Sequence, residues 1–169
     1  MLVDPLIPED DAEPFWRVLD REVERAGKPV IVALTAPWHE RSTPAVLERY
    51  AARLWAHDAA RSRLRWSVYA PLPIGLEIRL VPPFHEGQVA LFLPAHRALV
   101  TAEILADLGT GLRVCPSPAL EDQAALTTFL HGLVELPVEL LLPAHGPPVV
   151  EDARVAIAAA LAHYAPSAA

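Results

Sequence analysis

Val30-Ile31-Val32-Ala33-Leu34-Thr35-Ala36-Pro37-Trp38-His39-Glu40-Arg41-Ser42 starts as an unbroken aliphatic run and ends in aromatic, imidazole and charged side chains. An apolar run without alternation suits a strand buried on both faces, as in a parallel sheet covered by helices. Thr43-Pro44 then supplies a helix start, because proline is accommodated in the first helical turn. Strand, polar loop and helix in this order put the loop at the carboxyl rim of the sheet, where ligands of open α/β sheets bind. His39, Glu40 and Arg41 therefore fall where chemistry is expected.

Two later stretches repeat the arrangement. Ile78-Arg79-Leu80-Val81 runs into Pro82-Pro83-Phe84-His85-Glu86-Gly87, and Val138-Glu139-Leu140-Leu141-Leu142 runs into Pro143-Ala144-His145-Gly146. Each strand-like run is followed by a histidine.

The order of these motifs, with Leu99-Val100-Thr101-Ala102-Glu103 between the second and third, resembles the metallo-β-lactamase superfamily over the chain from Leu2 onward. The resemblance implies an α/β (α+β) fold, an αββα sandwich shortened at the N-terminus and formed by residues 1–169 as a single domain. That family's first loop reads Thr-His-X-His-X-Asp-His and carries most of the ligands for two metal ions. Here the matching residues are Thr35, Ala36, Pro37, Trp38, His39, Glu40 and Arg41, a degenerate version of the motif. His85 is similar to the next histidine ligand, Glu103 falls at the bridging aspartate of a Thr-Gly-Asp turn, and His145 matches the last histidine, in a Pro-Gly-His-Gly loop.

The resemblance thus implies a scaffold with an eroded metal site. Glu40, His85, Glu103 and His145 are the candidate relic ligands, and Trp38, His39, Arg41 and Phe84 line the same mouth. Ala36 and Trp38 donate nothing to a metal, and Arg41 puts a fixed positive charge where an imidazole should stand, which a divalent cation repels. No residue is assigned a catalytic role. Arg41 is expected to neutralise Glu40 and Glu103, giving a salt-bridged polar core. Trp38 is expected to fill the vacated cavity. The function implied is that of a non-catalytic or weakly active relative with a structural or small-ligand role and no cofactor. The alternative is a hydrolase of a small ester, thioester or amide with one Zn, Mn or Fe ion on Glu40, His85, Glu103 and His145, His39 standing in for a lost neighbour. A small anion is the candidate ligand, held by Arg41 beside Trp38 and Phe84.

Composition narrows the classes. The chain has 169 residues, is 53% hydrophobic and carries a net charge of -7, enough apolar content for a core and the wrong sign for nucleic acid. The basic cluster Arg53, Arg61, Arg63 and Arg65 is read as a solvated face. One cysteine, Cys115, leaves no internal disulfide and is read as structural. Met1-Leu2-Val3-Asp4 lacks the basic start and apolar run of a signal peptide, and no stretch approaches the roughly 20 apolar residues of a membrane span, so a cytoplasmic protein is expected.

In chain order, Leu2-Val3-Asp4-Pro5 reads as a strand ending in a turn. A helix capped at Asp10 or Asp11 carries Phe15, Trp16, Val18, Leu19 and Val23 at helical spacing to Gly27, with Trp16 as a core anchor. After the strand ending at Leu34, a second helix from Thr43 buries Val46, Leu47, Tyr50, Leu54 and Trp55, with His57 capping a helix end. Strands are expected at Trp66–Tyr69, Leu76–Val81, Val89–Leu93, Ala98–Thr101 and Gly111–Val114, with His96 in an exposed hairpin turn. A helix over Ala119–Leu136, with His131 outward, precedes the strand ending at Leu142, and a helix over Glu151–Tyr164 closes the chain, with His163 in its last turn. The asparto-prolyl turn comes so early that the first sheet is either begun late or small, with its edge covered by another copy in a homo-oligomer.

Overall fold

The computed structural model describes residues 1–81, 87–115 and 123–164; Phe84, His85 and Leu120 lie outside them. The chain divides into two compact units, Met1–Leu72 and Pro73–Ala169, each taken by itself.

In the first unit β1 (Leu2–Val3), β2 (Ile31–Leu34) and β3 (Arg53–Ala56) form a parallel sheet in that order. Parallel neighbours need crossovers, here α1 (Ala12–Ala26) and α2 (Thr43–Tyr50). The central strand explains the aliphatic run: Val32, Ala33 and Leu34 are wholly buried, and Val32 and Leu34 pack with Val46, Leu54, Ala56 and Ala60. A short helix, α3 (Asp58–Arg61), follows β3, with the His57 Nδ1 accepting a hydrogen bond from the Ala59 amide at 3.3 Å. His57 is thus a helix cap, but at the start of a short helix the sequence reading lacks and not at the end of the second helix.

Gly27 ends α1 in the left-handed region (φ 57°), its amide bonding Val23 and Glu24 carbonyls. The apolar stripe of α1 is narrower than expected. Trp16, Leu19 and Val23 are half-buried, whereas Phe15 and Val18 are 39% and 51% exposed. Spacing alone does not distinguish the two sides of so broad a stripe.

A polar cluster joins α1 to α2. The Arg49 guanidinium donates to both Asp20 carboxylate oxygens at 2.8 and 2.7 Å, Tyr50 donates to Asp20 at 2.8 Å, and Arg49 lies 4.9 Å over the Trp16 ring. Hydrogen bonds from Arg49 and then Tyr50 lower Asp20 to about 2, while burial and the Asp20 carboxylate push the Tyr50 phenol up to about 12. The depressed Asp20 value fixes the sign of a pH effect: its contribution is complete above the unfolded value of 3.8 and is lost as pH falls through about 2. Melting curves from pH 7 to 2 are expected to show a small acid-side loss that Asp20→Asn removes. An unchanged acid limb in that variant would show that the ion pair is screened out by solvent.

Two expectations are corrected here. The second helix does not reach Leu54 and Trp55; it stops at Tyr50, Ala51 turns through φ 46°, and Leu54 and Trp55 belong to β3. Apolar residues at 46, 47, 50 and 54 fit a helix as well as a helix followed by a buried strand, and the reversal uses neither glycine nor proline. Trp66–Tyr69 is irregular. Its aromatics pack under arginines instead of joining a ladder: Arg65 lies over Trp66 at 5.2 Å and Arg61 over Tyr69 at 4.6 Å.

The second unit contains β4 (Glu77–Leu80), β5 (Val89–Leu93), β6 (Ala98–Val100), β7 (Leu105–Asp107), β8 (Leu112–Val114), α4 (Gln123–Val134), β9 (Leu140–Leu142) and α5 (Ala153–Ala162). Its main sheet has the order β4-β5-β6-β9, antiparallel except for the β6–β9 pair, and β7 and β8 form a separate hairpin. Phe92, Leu99, Leu105, Leu126, Leu130, Leu133, Leu141 and Ile157 fill the core. His96 is exposed in the turn between β5 and β6, which Arg97 closes at φ 47°, and His131 is exposed on α4. The short β7 is an addition to the sequence reading. Parallel and antiparallel strands with helices make an α/β fold; no helix among the described residues is long and apolar enough to cross a membrane.

Candidate functional site

In the first unit the rim loop runs from Thr35 to Arg41. Pro37–His39 forms a 3-10 turn, in which successive side chains point about 120° apart. His39 therefore goes inward, only 1% exposed, while Trp38 turns outward and is 41% exposed. Trp38 is thus not the buried plug expected; it lies edge-on to the His39 ring, with centroids 6.1 Å apart.

His39 is held by Asp4, the residue directly after β1. The His39 Nδ1 is 2.9 Å from Asp4 Oδ2 and 3.1 Å from Thr35 Oγ1. The Thr35 amide donates to Asp4 Oδ1 at 2.8 Å, and the Thr35 hydroxyl donates to Asp4 Oδ2. Asp4 adopts φ 44°, a left-handed conformation that aspartate tolerates, and its own amide donates to the Ala33 carbonyl at 3.0 Å. Adjacent parallel strands end side by side, so the residue that follows β1 reaches the loop after β2. The result is a sealed polar knot in which His39 serves the fold.

Glu40 emerges beside it with its side chain 24% exposed, and Arg65 grips the carboxylate, Nε at 3.2 Å and Nη2 at 2.7 Å. The expected partner was Arg41. Arg41 instead takes φ 41° and lines a groove with Ile7, Glu9 and Trp16. The left-handed turn directs the chain into α2 and away from the Glu40 carboxylate. Arg65, assigned above to a solvated basic face, is the ion-pair partner that sequence reasoning missed.

In the second unit Glu103 and His145 come together, Glu103 Oε1 standing 3.6 Å from His145 Nε2. Glu103 follows a turn at Ala102 (φ 48°), the position of the glycine in a Thr-Gly-Asp turn, and His145 follows β9. Backbone bonds lace the two loops: Thr101 amide to Leu142 carbonyl at 3.3 Å, Ala144 amide to Ala102 carbonyl at 3.1 Å, and Asp107 amide to His145 carbonyl at 3.1 Å. The pairing of these residues was legible in the motif order. Cys115, paired to Ile104 through its amide, has its thiol pushed up by burial and then by the Glu103 charge, so it stays protonated at neutral pH. That fits the structural role expected.

No family model and no curated protein matches the chain. Solved structures do. A metallo-β-lactamase family protein from Thermus thermophilus is 16% identical, with a TM-score of 0.59 over 95% of this chain and 69% of that one. A metallo-β-lactamase from Pontibacter korlensis is 16% identical, with a TM-score of 0.58 over 90% of this chain and 78% of that one. The chain has the metallo-β-lactamase fold. A third structure with this fold, that of a protein in a di-iron-bound form, is 21% identical with a TM-score of 0.58 over 86% of this chain and 81% of that one. In the first unit His39 is bonded to Asp4 and Glu40 to Arg65, whereas in the second Glu103 and His145 are both partly exposed.

Proposed function

We propose that this protein is a metallo-β-lactamase-fold relative without a working dinuclear centre, whose first-loop ligand positions hold Ala36, Trp38, Arg41 and a Glu40 already engaged in an ion pair. The reading is carried by the Glu40–Arg65 pair: a carboxylate held at 2.7 Å by a guanidinium is neutralised in place and must break that pair to ligate a metal. Ala36 has no donor, and His39 has no open face, its ring being sealed at 1% exposure. The described residues, which do not include His85, do not fit a pair of metal ions. Among the described residues no group of three or more histidine, cysteine, aspartate or glutamate side chains is arranged to hold one.

The second reading rests on a different observation, the 3.6 Å approach of Glu103 to His145 with both side chains accessible. These two could serve a mononuclear hydrolase of a small ester, thioester or amide together with His85. Elemental mass spectrometry on protein purified without chelators, then incubated with zinc, manganese or iron(II), separates the readings. We expect no stoichiometric metal and no change on His145→Ala. About one ion per chain, lost in His145→Ala, would sink the first reading in favour of the second.

A further inference from the structure

We propose that a groove of about 370 Å³ in the first unit binds a small apolar monocarboxylate. The groove lies where the loops after β1 and β2 face the first turns of α1 and α2, with Ile7, Pro8, Glu9, Trp16, Arg41 and Ala45 among its walls. This is the carboxyl rim of a parallel sheet, the usual ligand edge of such folds, and its volume suits a ligand of fragment size. All of its lining residues belong to the first unit, and the proposal does not depend on whether metal binds at Glu103 and His145.

The chemistry of the walls selects the ligand. Arg41 is the cation among the lining residues, is half-buried, and has no ion pair or side-chain hydrogen bond among the described residues, although Glu9 lines the same groove. An arginine in a groove wall without a carboxylate partner among the described residues is matched by a carboxylate ligand, which it can hold through two parallel hydrogen bonds. The first turn of α2 adds donors: Ser42 gives no side-chain cap, its hydroxyl being taken by the Ile7 amide at 2.9 Å, and the Ala45 amide is not bonded among the described residues. Thr43, between wall residues Ser42 and Pro44 but not itself in the wall, has a buried hydroxyl without a partner among the described residues. Anions are favoured at such a turn. Trp16, Ile7 and Pro8 offer apolar surface for the body of the ligand, and the Glu9 charge disfavours a second negative group.

The test is a titration of the full chain with 3-phenylpropionate, followed by the amide resonances of Arg41 and Ala45. Saturable binding with a dissociation constant on the order of 1 mM is expected, since a ligand of this size reaches about that affinity. Phenylsuccinate should bind more weakly, and phenethylamine should not shift these resonances. Arg41→Gly removes the guanidinium at a position whose φ of 41° glycine adopts without strain, so the variant should stay folded and bind at least about tenfold more weakly. Absence of saturation with the wild type, equal affinity in Arg41→Gly, or equal binding of the amine would each overturn the proposal.

Discussion

Asp4→Ala is expected to cost about 3 kcal/mol of stability, read from the midpoint of a denaturant titration. The Asp4 carboxylate, with only 9% of its side chain exposed, accepts from the Thr35 amide and hydroxyl and contacts the His39 imidazole at 2.9 Å. Truncation takes the acceptor from the Thr35 amide and leaves the Thr35 hydroxyl and His39 Nδ1, 3.1 Å apart, to pair with each other, on residues that are themselves 0% and 1% exposed. Each buried group without a partner costs about 1–3 kcal/mol, and one water entering the small void recovers part of the sum. Alanine also tolerates φ 44° less well than aspartate. Asp4→Asn keeps an oxygen for the Thr35 amide and is expected to lose about half as much. Arg65→Ala is the control: its guanidinium is 62% exposed, so removing the pair with Glu40 should change stability by about 0.5 kcal/mol or less. A midpoint for Asp4→Ala within error of the wild type would mean that the network is incidental. If it falls as expected, the rim loop is built around Asp4, and His39 is a buried anchor with no ligand role.

The contrast between these residues shows what was readable in advance. A five-residue aliphatic run announces a buried central strand because burial on both faces leaves no polar position, and β2 is that strand. Glu103 and His145 were placed together by motif order alone, and they meet. The partners of the first loop were not readable, since Asp4 reaches His39 across 35 positions and Arg65 reaches Glu40 across 25, and nothing local signals either approach. Backbone turns were hidden for a related reason. Asp4, Arg41, Ala51 and Ala102 all adopt positive φ without glycine, so the usual punctuation was absent where the chain reverses. That absence merged α2 with β3 in the sequence reading and sent Arg41 toward the wrong carboxylate. Tertiary packing, which holds these residues in a costly conformation, is invisible to periodicity.

The Leu-Pro-Ala-His-Gly loop carries the second large effect, and it falls on the glycine. Gly146 has φ 90°, and a β-carbon added there would stand 2.6 Å from the Asp107 Cβ and 2.7 Å from the Asp107 carbonyl oxygen. Asp107 has little freedom to retreat. Its amide is bonded to the His145 carbonyl, and its Oδ1 accepts from the Gly109 and Gly111 amides at 2.8 and 3.0 Å. Gly146→Ala must therefore open the join between β7 and the loop after β9 as well as strain its own backbone, for an expected loss of about 3 kcal/mol or more. His145→Ala removes a side chain that is 45% exposed and makes a 3.6 Å contact, so it should cost about 0.5 kcal/mol or less. Denaturant midpoints for the two variants decide the matter, and a mild Gly146→Ala would show that Asp107 can shift. With the expected order of effects, the motif is required by close packing of backbone on backbone. A chain of this fold must then keep the glycine whether or not the neighbouring histidine ever holds a metal, so the motif by itself is no evidence that His145 is a ligand.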